Sequence, residues 1–460
     1  MTDLTLDRSR PRPPWTLEAK ALLMLAAPMA LAQLAQMAIM TTDVILLGRL
    51  GRAELAAAAI GNTIFFAAWL LGTGPAMAVS PVIAQILGAQ PRNRAGVRAA
   101  VRMGLWTTTL LSAPLLVLML NARWILSHLG QDPDLARGAG VFVSMLCFGL
   151  PFTLAFQVLR NFTAALGKPG AATWVMMATI LVNAVAGYGL IFGHFGLPKL
   201  GLMGSGLATS GSAIFSFIAM LAVIWMTPKL RVYRVFRRVR HPVPARLGEL
   251  VRLGLPIGMT MIFEAMLFNT MTLIMGTFGE VAVAAHQIAL NFASITFMVP
   301  LGIGMAATVR VGVAIGRGDP VAARRAGFTA MGLAVAFVCV CAAVMILFGR
   351  QIAGLYLGNN QPGDAEVIVL AAQFLLVAAA FQVFDAVQVV GAMALRGLKD
   401  ARAPMILAGV SYWLFGAPMC ILLGVVLNMQ GLGVWIGLAF GLGVAAAAMS
   451  WRFNRITRAA

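Results

Sequence analysis

Two stretches decide how this chain is read: LAAPMALAQLAQMAIMTTDVILLGRLG (residues 25–51) and LGLPIGMTMIFEAMLFNTMTLIMGTFG (residues 253–279). Each is a long apolar run with a proline in its fourth position and a glycine at its end. Pro28, Gly48 and Gly51 match Pro256, Gly276 and Gly279 at one offset of 228 residues, without gaps. The same offset carries Gly74, Met77, Ala78 and Gly88 onto Gly302, Met305, Ala306 and Gly316, and Met103 onto Met331. Farther on, Gln157-Val158 and Lys168 match Gln388-Val389 and Lys399 after a drift of three residues, and Gly206-Leu207-Ala208 matches Gly437-Leu438-Ala439. Each match is weak, but their collinearity reads as one duplicated unit.

Composition says what the unit is made of. The 460 residues are 60% hydrophobic and 11% charged, and the mean hydropathy is +0.89. Soluble domains carry about 25% charged residues, so a polytopic membrane protein is expected. A spanning helix needs about 20 apolar residues. Twelve stretches qualify, at 21–48, 55–87, 99–121, 138–160, 170–193, 202–227, 250–277, 281–314, 326–349, 366–395, 403–427 and 431–451. Their continuous apolar character excludes barrel strands, which alternate. The first run is too long for the core of a signal peptide and lacks a cleavage site. Six spans per unit give both units the same orientation, related by an axis along the membrane normal, as in many secondary transporters. The expected fold is all-α, with twelve transmembrane helices in two pseudo-symmetric lobes of six. The expected divisions are a tail at 1–20, lobes at 21–227 and 249–451, a basic linker at 228–248 and a second tail at 452–460.

The net charge of +19 is lopsided. Of the 34 Lys and Arg residues, 28 fall in the two tails, the even-numbered loops and the adjoining span ends, and 6 on the other side. That is the positive-inside pattern. It places both termini in the cytoplasm and argues against nucleic acid as a partner. The four cysteines all lie in spans, without metal or disulfide spacing.

Fifteen residues are Asp or Glu, and three of them sit deep in spans: Asp43, Glu264 and Asp385. An ionised acid at a helix centre costs about 2.5–3.5 kcal/mol on insertion scales. Each must face a wet cavity, pair with a cation or take up a proton. No basic residue stands in the central part of a span to pair with them. A poised carboxyl group of this kind can exchange a proton or metal ion for a cationic substrate; the ordinary alternative is a hydrogen bond between helices. The acids break the repeat, because Glu264 corresponds to Gln36 and Asp43 to Met271. Other polar groups that would line a central cavity, or simply bond between helices, are Gln33 and Gln36, Asn183, Gln287 and Asn291, Gln382 and Gln388, and Tyr412. His286 lies near a span end and is read as a packing residue. Methionine surfaces and aromatic faces suit varied organic cations. The glycines around Gly302 lack the strand–turn–helix setting of a dinucleotide site and read as close helix packing. The chain has no ATP-binding phosphate loop and no nucleophile–base spacing, so neither direct ATP driving nor enzymatic activity is expected.

With these residues in view, the chain resembles the multidrug and toxic compound extrusion (MATE) transporters, in their bacterial NorM-like branch. The resemblance rests on P-x-x-x-x-Q-x-x-Q…TTDVILLGRLG and AVSPVIAQILGA in the first half. In the second it rests on LGLPIGMTMIFEAMLFN, AVAAHQIALNFASITFMVPLGIGMAATVRVGVAIGRGD and FQVFDAVQVVGAMALRGLKD. It implies two lobes around a V-shaped cavity and export of small cationic molecules in exchange for sodium ions or protons. It further implies cation coupling at Glu264 and Asp385, a first-lobe coupling acid at Asp43, and Asn183 as that acid's polar partner. Phe381 stands where some members have tyrosine, and Gly187 where some archaeal members have a second acid. Both remove oxygen, so protons are expected over sodium; a sodium ion would fall to Glu264 and Asp385. No cofactor other than the coupling ion is expected. The expected setting is the bacterial inner membrane, as a monomer. A lipid or lipid-linked-precursor flippase is the alternative, but such a protein would favour a basic cavity.

Overall fold

The computed structural model describes residues 15–237, 241–357 and 363–459. The first tail up to residue 14, residues 238–240 of the linker and residue 460 of the second tail lie outside the described residues. The first half contains α1 (Trp15–Gly48), α2 (Arg52–Ala89), α3 (Arg94–Leu120), the short α4 (Ala122–His128), α5 (Pro133–Cys147), α6 (Leu150–Ala165), α7 (Gly170–Phe192) and α8 (Leu202–Met226). After the one-turn α9 (Pro228–Arg231), the second half contains α10 (Pro244–Gly276), α11 (Glu280–Gly316), α12 (Pro320–Tyr356) and α13 (Asp364–Gly397). It ends with α14 (Arg402–Val410), α15 (Ala417–Ile421) and α16 (Gln430–Ala459).

Local chemistry marks the ends. Asn93, Asp132 and Asp319 cap α3, α5 and α12 by accepting hydrogen bonds from backbone N–H groups, and proline opens α5, α10 and α12. Gly193, with φ of 80°, ends α7 in the left-handed conformation. Among the described residues, eleven helices are long and apolar enough to cross a membrane, and α5 with α6, bent by 45°, makes a twelfth if the pair is one span. The eleventh span is α14 and α15 joined by a π-helical segment, Ser411–Gly416, with a second, Leu422–Val426, after α15. Helix α1 begins at Trp15 and α16 runs to Ala459, so helix continues into both expected tails. Lys20, Arg455 and Arg458 there reach water while the backbone bonds stay within the helix.

The duplication explains the packing. Leu22 and Met29 of α1 sit in the core of the second half, while Leu250 and Ile257 of α10 sit in the core of the first. These are repeat partners at the 228-residue offset, so the two helices cross reciprocally into the opposite half. The matched glycines lie on the crossing. A Cβ on Gly74 would come within 2.2 Å of the Gly254 carbonyl and 2.7 Å of the Gly258 nitrogen. The repeat-related contact is Gly302 against Ala30, where a Cβ would meet backbone at 2.6 Å. Gly88 and Gly316 meet each other: their Cβ atoms would strike the Val313 and Gln85 carbonyls at 2.2 and 2.3 Å. Small residues let backbones approach this closely in a membrane, where packing replaces the hydrophobic drive.

Polar contacts close the arginine-rich end. Arg310 of α11 grips Glu18 of α1 with two nitrogens, its Nε standing 2.9 Å from Oε1. Gln85 Nε2 donates to the Gly397 carbonyl at 2.9 Å, joining the halves again. Glu249 accepts from Arg246 and Lys399 at 2.6 and 2.7 Å. The Glu18–Arg310 pair is mostly buried, and removing one partner of such a pair costs about 3–5 kcal/mol. Glu18→Gln should therefore loosen this end. The expected result is faster maleimide labelling of a cysteine placed at Gln85, at least several-fold over the same cysteine in the parent; an unchanged rate would remove the pair from the seal.

Candidate functional site

A cavity of about 420 Å³ lies in the half of the molecule away from the arginine-rich end. Four spans of the first half build most of its wall: α1, α2, the α5–α6 span and α8. Asp43 is its acid and Gln36 stands nearly two turns earlier on the same helix. Phe66 and Trp69 stack with ring centres 5.6 Å apart on α2. From the second half comes Asn269 of α10. No lysine or arginine is among the lining residues.

Asp43 is half-buried. Its Oδ2 accepts from the Thr209 hydroxyl at 3.1 Å, and that hydroxyl lies equally far from the Ser205 carbonyl, so one proton is shared between two acceptors. Thr41 and Thr42 turn their hydroxyls back to the carbonyls of Met37 and Ala38 and give Asp43 nothing. Asn183 is fully buried and near enough to act on Asp43, although neither of its amide atoms closes a hydrogen bond among the described residues. A Cβ on Gly187 would stand 2.9 Å from a Leu46 methyl, so α7 packs tightly on α1 just where a second acid would have to fit.

Asp385 and Glu264 belong to a different environment. Asp385 is 6% exposed and Tyr412, carried inward on the first π-helical turn, is 0% exposed. Among the described residues, Asp385 Oδ1, Gln388 Oε1 and the Tyr412 hydroxyl have no protein hydrogen-bond partner. Gln382 donates to Thr296 at 2.6 Å and links α13 to α11. Asp385 and Glu264 act on each other electrostatically, and Arg396 acts on Glu264 and Tyr412. Buried polar groups without partners cost about 1–3 kcal/mol each, so this cluster is poised for an added partner. Phe381 closes one side, edge-on to Phe268 and Trp435 at 6.1 and 5.5 Å.

None of the three acids is in an ion pair among the described residues; ion-paired acids there include Glu18, Asp134, Glu249 and Asp400. The sequence reading nevertheless overlooked three buried cations. Arg102, Arg160 and Arg396 are 7%, 4% and 7% exposed and lie inside α3, α6 and α13, not in water beyond the spans. The helices run past the apolar stretches, and the neighbouring half covers their ends. Of the other polar candidates, Gln287 and Asn291 are exposed on α11 outside the cavity, Asn291 accepting from the Tyr356 hydroxyl at 3.0 Å. His286 is buried edge-on against Trp435, with Nε2 3.2 Å from the Thr272 hydroxyl. The missed wall is α8: Thr209, Ser212 and Ser216 all line the cavity. Hydroxyls at 205, 209, 212 and 216 recur every three to four residues, a helical face legible in the sequence.

An aromatic wall facing a carboxylate is the standard means of holding an organic cation. Trp69→Ala should raise the half-saturating concentration for a cationic dye about tenfold, with the maximal rate changed less. Equal affinity for dye in purified mutant and parent would exclude Trp69 from the binding wall.

Comparison with known proteins agrees with this architecture. The MatE family model matches twice, at residues 28–189 and 256–422, once in each half. The chain belongs to the MatE family. It is 42% identical over 447 residues to the probable multidrug resistance protein NorM of Mesorhizobium japonicum, covering 97% of this chain and 96% of that one. It is likewise 42% identical over 431 residues to the multidrug resistance protein NorM of Burkholderia vietnamiensis, covering 94% and 92%. Among solved structures, a multidrug resistance MATE family transporter in an outward-facing conformation superposes with a TM-score of 0.86 at 21% identity, covering 98% and 99%. The eukaryotic MATE transporter AtDTX14 superposes at 0.84 and 23% identity, covering 97% and 98%.

Proposed function

We propose that this protein is a secondary antiporter that exports organic cations in exchange for protons or sodium ions, by alternating access between its two halves. One observation carries the reading: Asp43, without a cationic partner, lies in an aromatic-walled cavity on the far side of a tight seal between the halves. A cation entering the cavity meets the only carboxylate among its lining residues. The seal, made of small residues and a few polar contacts, can part as two rigid bodies rock.

In this reading the halves are residues 21–227 and 249–451, and the arginine-rich end with both termini faces the cytoplasm of a bacterial inner membrane. Asp43 couples substrate to ion in the first half, with Gln36 and Asn183 as its polar surroundings. Glu264 and Asp385 form the second coupling site, with Gln388 and Tyr412. Gln287 and Asn291 contribute only in a conformation that brings α11 to the cavity. The protein works as a monomer and performs no covalent chemistry. Protons are favoured over sodium because each acid site lacks one oxygen that a sodium ion would use as a ligand. Phe381 brings a ring where a hydroxyl would coordinate, and Leu46 fills the space beside Gly187. A carboxyl group alone suffices to carry a proton. The flippase alternative gains nothing from a cavity lined without basic residues.

The deciding experiment uses purified protein in liposomes loaded with a fluorescent cation. An imposed proton gradient should drive dye movement, and a sodium gradient at equal pH should not. Movement driven by sodium alone would reverse the ion assignment; movement driven by neither would overturn antiport.

A further inference from the structure

Two of the buried arginines, Arg160 and Arg396, point to an ion site that the transport reading does not use. Between the halves lies a pocket of about 10 Å³, the size that holds one water or one monatomic ion. Met77 and Ser80 of α2 face Met305 and Thr308 of α11 across it, and these are repeat partners at the 228-residue offset. The pocket therefore sits on the pseudo-twofold axis, and both halves must be together for it to exist. Asn161 and Arg396 complete its polar lining.

The lining has spare donors and no negative charge. Arg396 is 7% exposed and, among the described residues, forms no hydrogen bond or ion pair. Glu264 acts on it only from beyond ion-pair distance. The Ser80 hydroxyl likewise has no protein partner among the described residues, whereas the Thr308 hydroxyl is spent on the Met393 carbonyl at 2.8 Å. Behind the pocket wall, Arg160 Nη2 reaches Met305 Sδ at 3.4 Å and also Gln33 Oε1, and its Nη1 has no partner. A guanidinium does not lose its proton in a protein. Two of them buried next to this pocket, with no carboxylate in ion-pair contact among the described residues, call for a counter-charge. The pocket has no room for an oxyanion such as phosphate or sulfate.

We propose that this pocket binds a single halide ion, chloride in the cell, held by Arg396 and Ser80 on the axis between the two halves. The ion is shared by α2 and α6 on one side and α11 and α13 on the other, so it binds only when this end is closed. By mass action it then stabilises the closed arrangement. Chloride on this side would act as a latch, independent of the ion exchanged at the acids.

The test uses the full chain in nanodiscs, with sodium chloride exchanged for sodium gluconate at constant ionic strength. Chloride should raise the thermal midpoint by several degrees in a saturable way, and bromide should substitute for it. Ser80→Ala should shift half-saturation to several-fold higher chloride, and Arg396→Met should abolish the response. In crystals grown with bromide, an anomalous peak is expected within hydrogen-bond reach of the Arg396 guanidinium. If Arg396→Met fails to fold, the Ser80→Ala shift and the bromide peak decide. A chloride-independent midpoint in the parent, or crystals with no bromide at this position, would mean that only water occupies the pocket and would overturn the proposal.

Discussion

Asp43→Asn is expected to abolish energised export of organic cations, by at least a hundredfold, while the protein still folds and inserts. The substitution keeps the shape of the side chain and the Thr209 contact, since the amide oxygen can accept where Oδ2 accepts now. It removes the charge that a proton and a cationic substrate would compete for. Among the cavity's lining residues there is no other acid and no base, so nothing can substitute. The measurement is gradient-driven dye export in liposomes, beside dye binding to the purified mutant. Export at the parental rate would move coupling away from this site. Asp385→Asn should also stop energised export but leave dye affinity within a fewfold of the parent, because Asp385 does not line the cavity. That split between binding and coupling is what two separate acid environments require.

Gly316→Leu should have the second large effect. A Cβ at this position would stand 2.3 Å from the Gln85 carbonyl and 2.9 Å from Gly88 Cα. Both are backbone atoms where the last turns of α2 and α11 cross, and neither can swing aside as a side chain could. Interiors transmit such strain rather than absorb it, so α2 and α11 must separate and the closed end must open. A cysteine at Ser80, buried in the parent, should become reactive to a membrane-impermeant maleimide, at least tenfold faster. Export should fall in parallel because the cycle can no longer close. The control is Gly332→Leu on α12, where a Cβ meets nothing within 4 Å; it should leave both readings near those of the parent. Unchanged labelling in Gly316→Leu would show that these helices do not seal the interior.

The two predictions draw unequally on the sequence. Asp43 was legible because an acid in an apolar run is anomalous by itself, whatever surrounds it. Gly316 was legible only as one member of a repeat, and its role came from finding it against Gly88, its own repeat partner. Thr209 shows an intermediate case. Its helical row of hydroxyls is in the sequence, but the hydrogen bond to Asp43 spans 166 residues and depends on how α8 meets α1. Arg396 shows the opposite failure. By apolar length it belongs to a loop in water, yet α13 continues past it and the other half covers it.

From the chain alone came the number of spans, their helical nature, the duplication, the orientation expected from charge and the three anomalous acids. Each of these is a one-dimensional quantity, set by the length of an apolar run, the period of a pattern or the side on which arginines fall. Tertiary structure alone decided that the acids occupy two environments, that α1 and α10 cross into opposite halves, and that two buried arginines flank a pocket on the axis. Those facts depend on which helix faces meet. In a membrane that choice is made by close backbone packing and by polar groups seeking partners, because lipid surrounds every apolar face equally well.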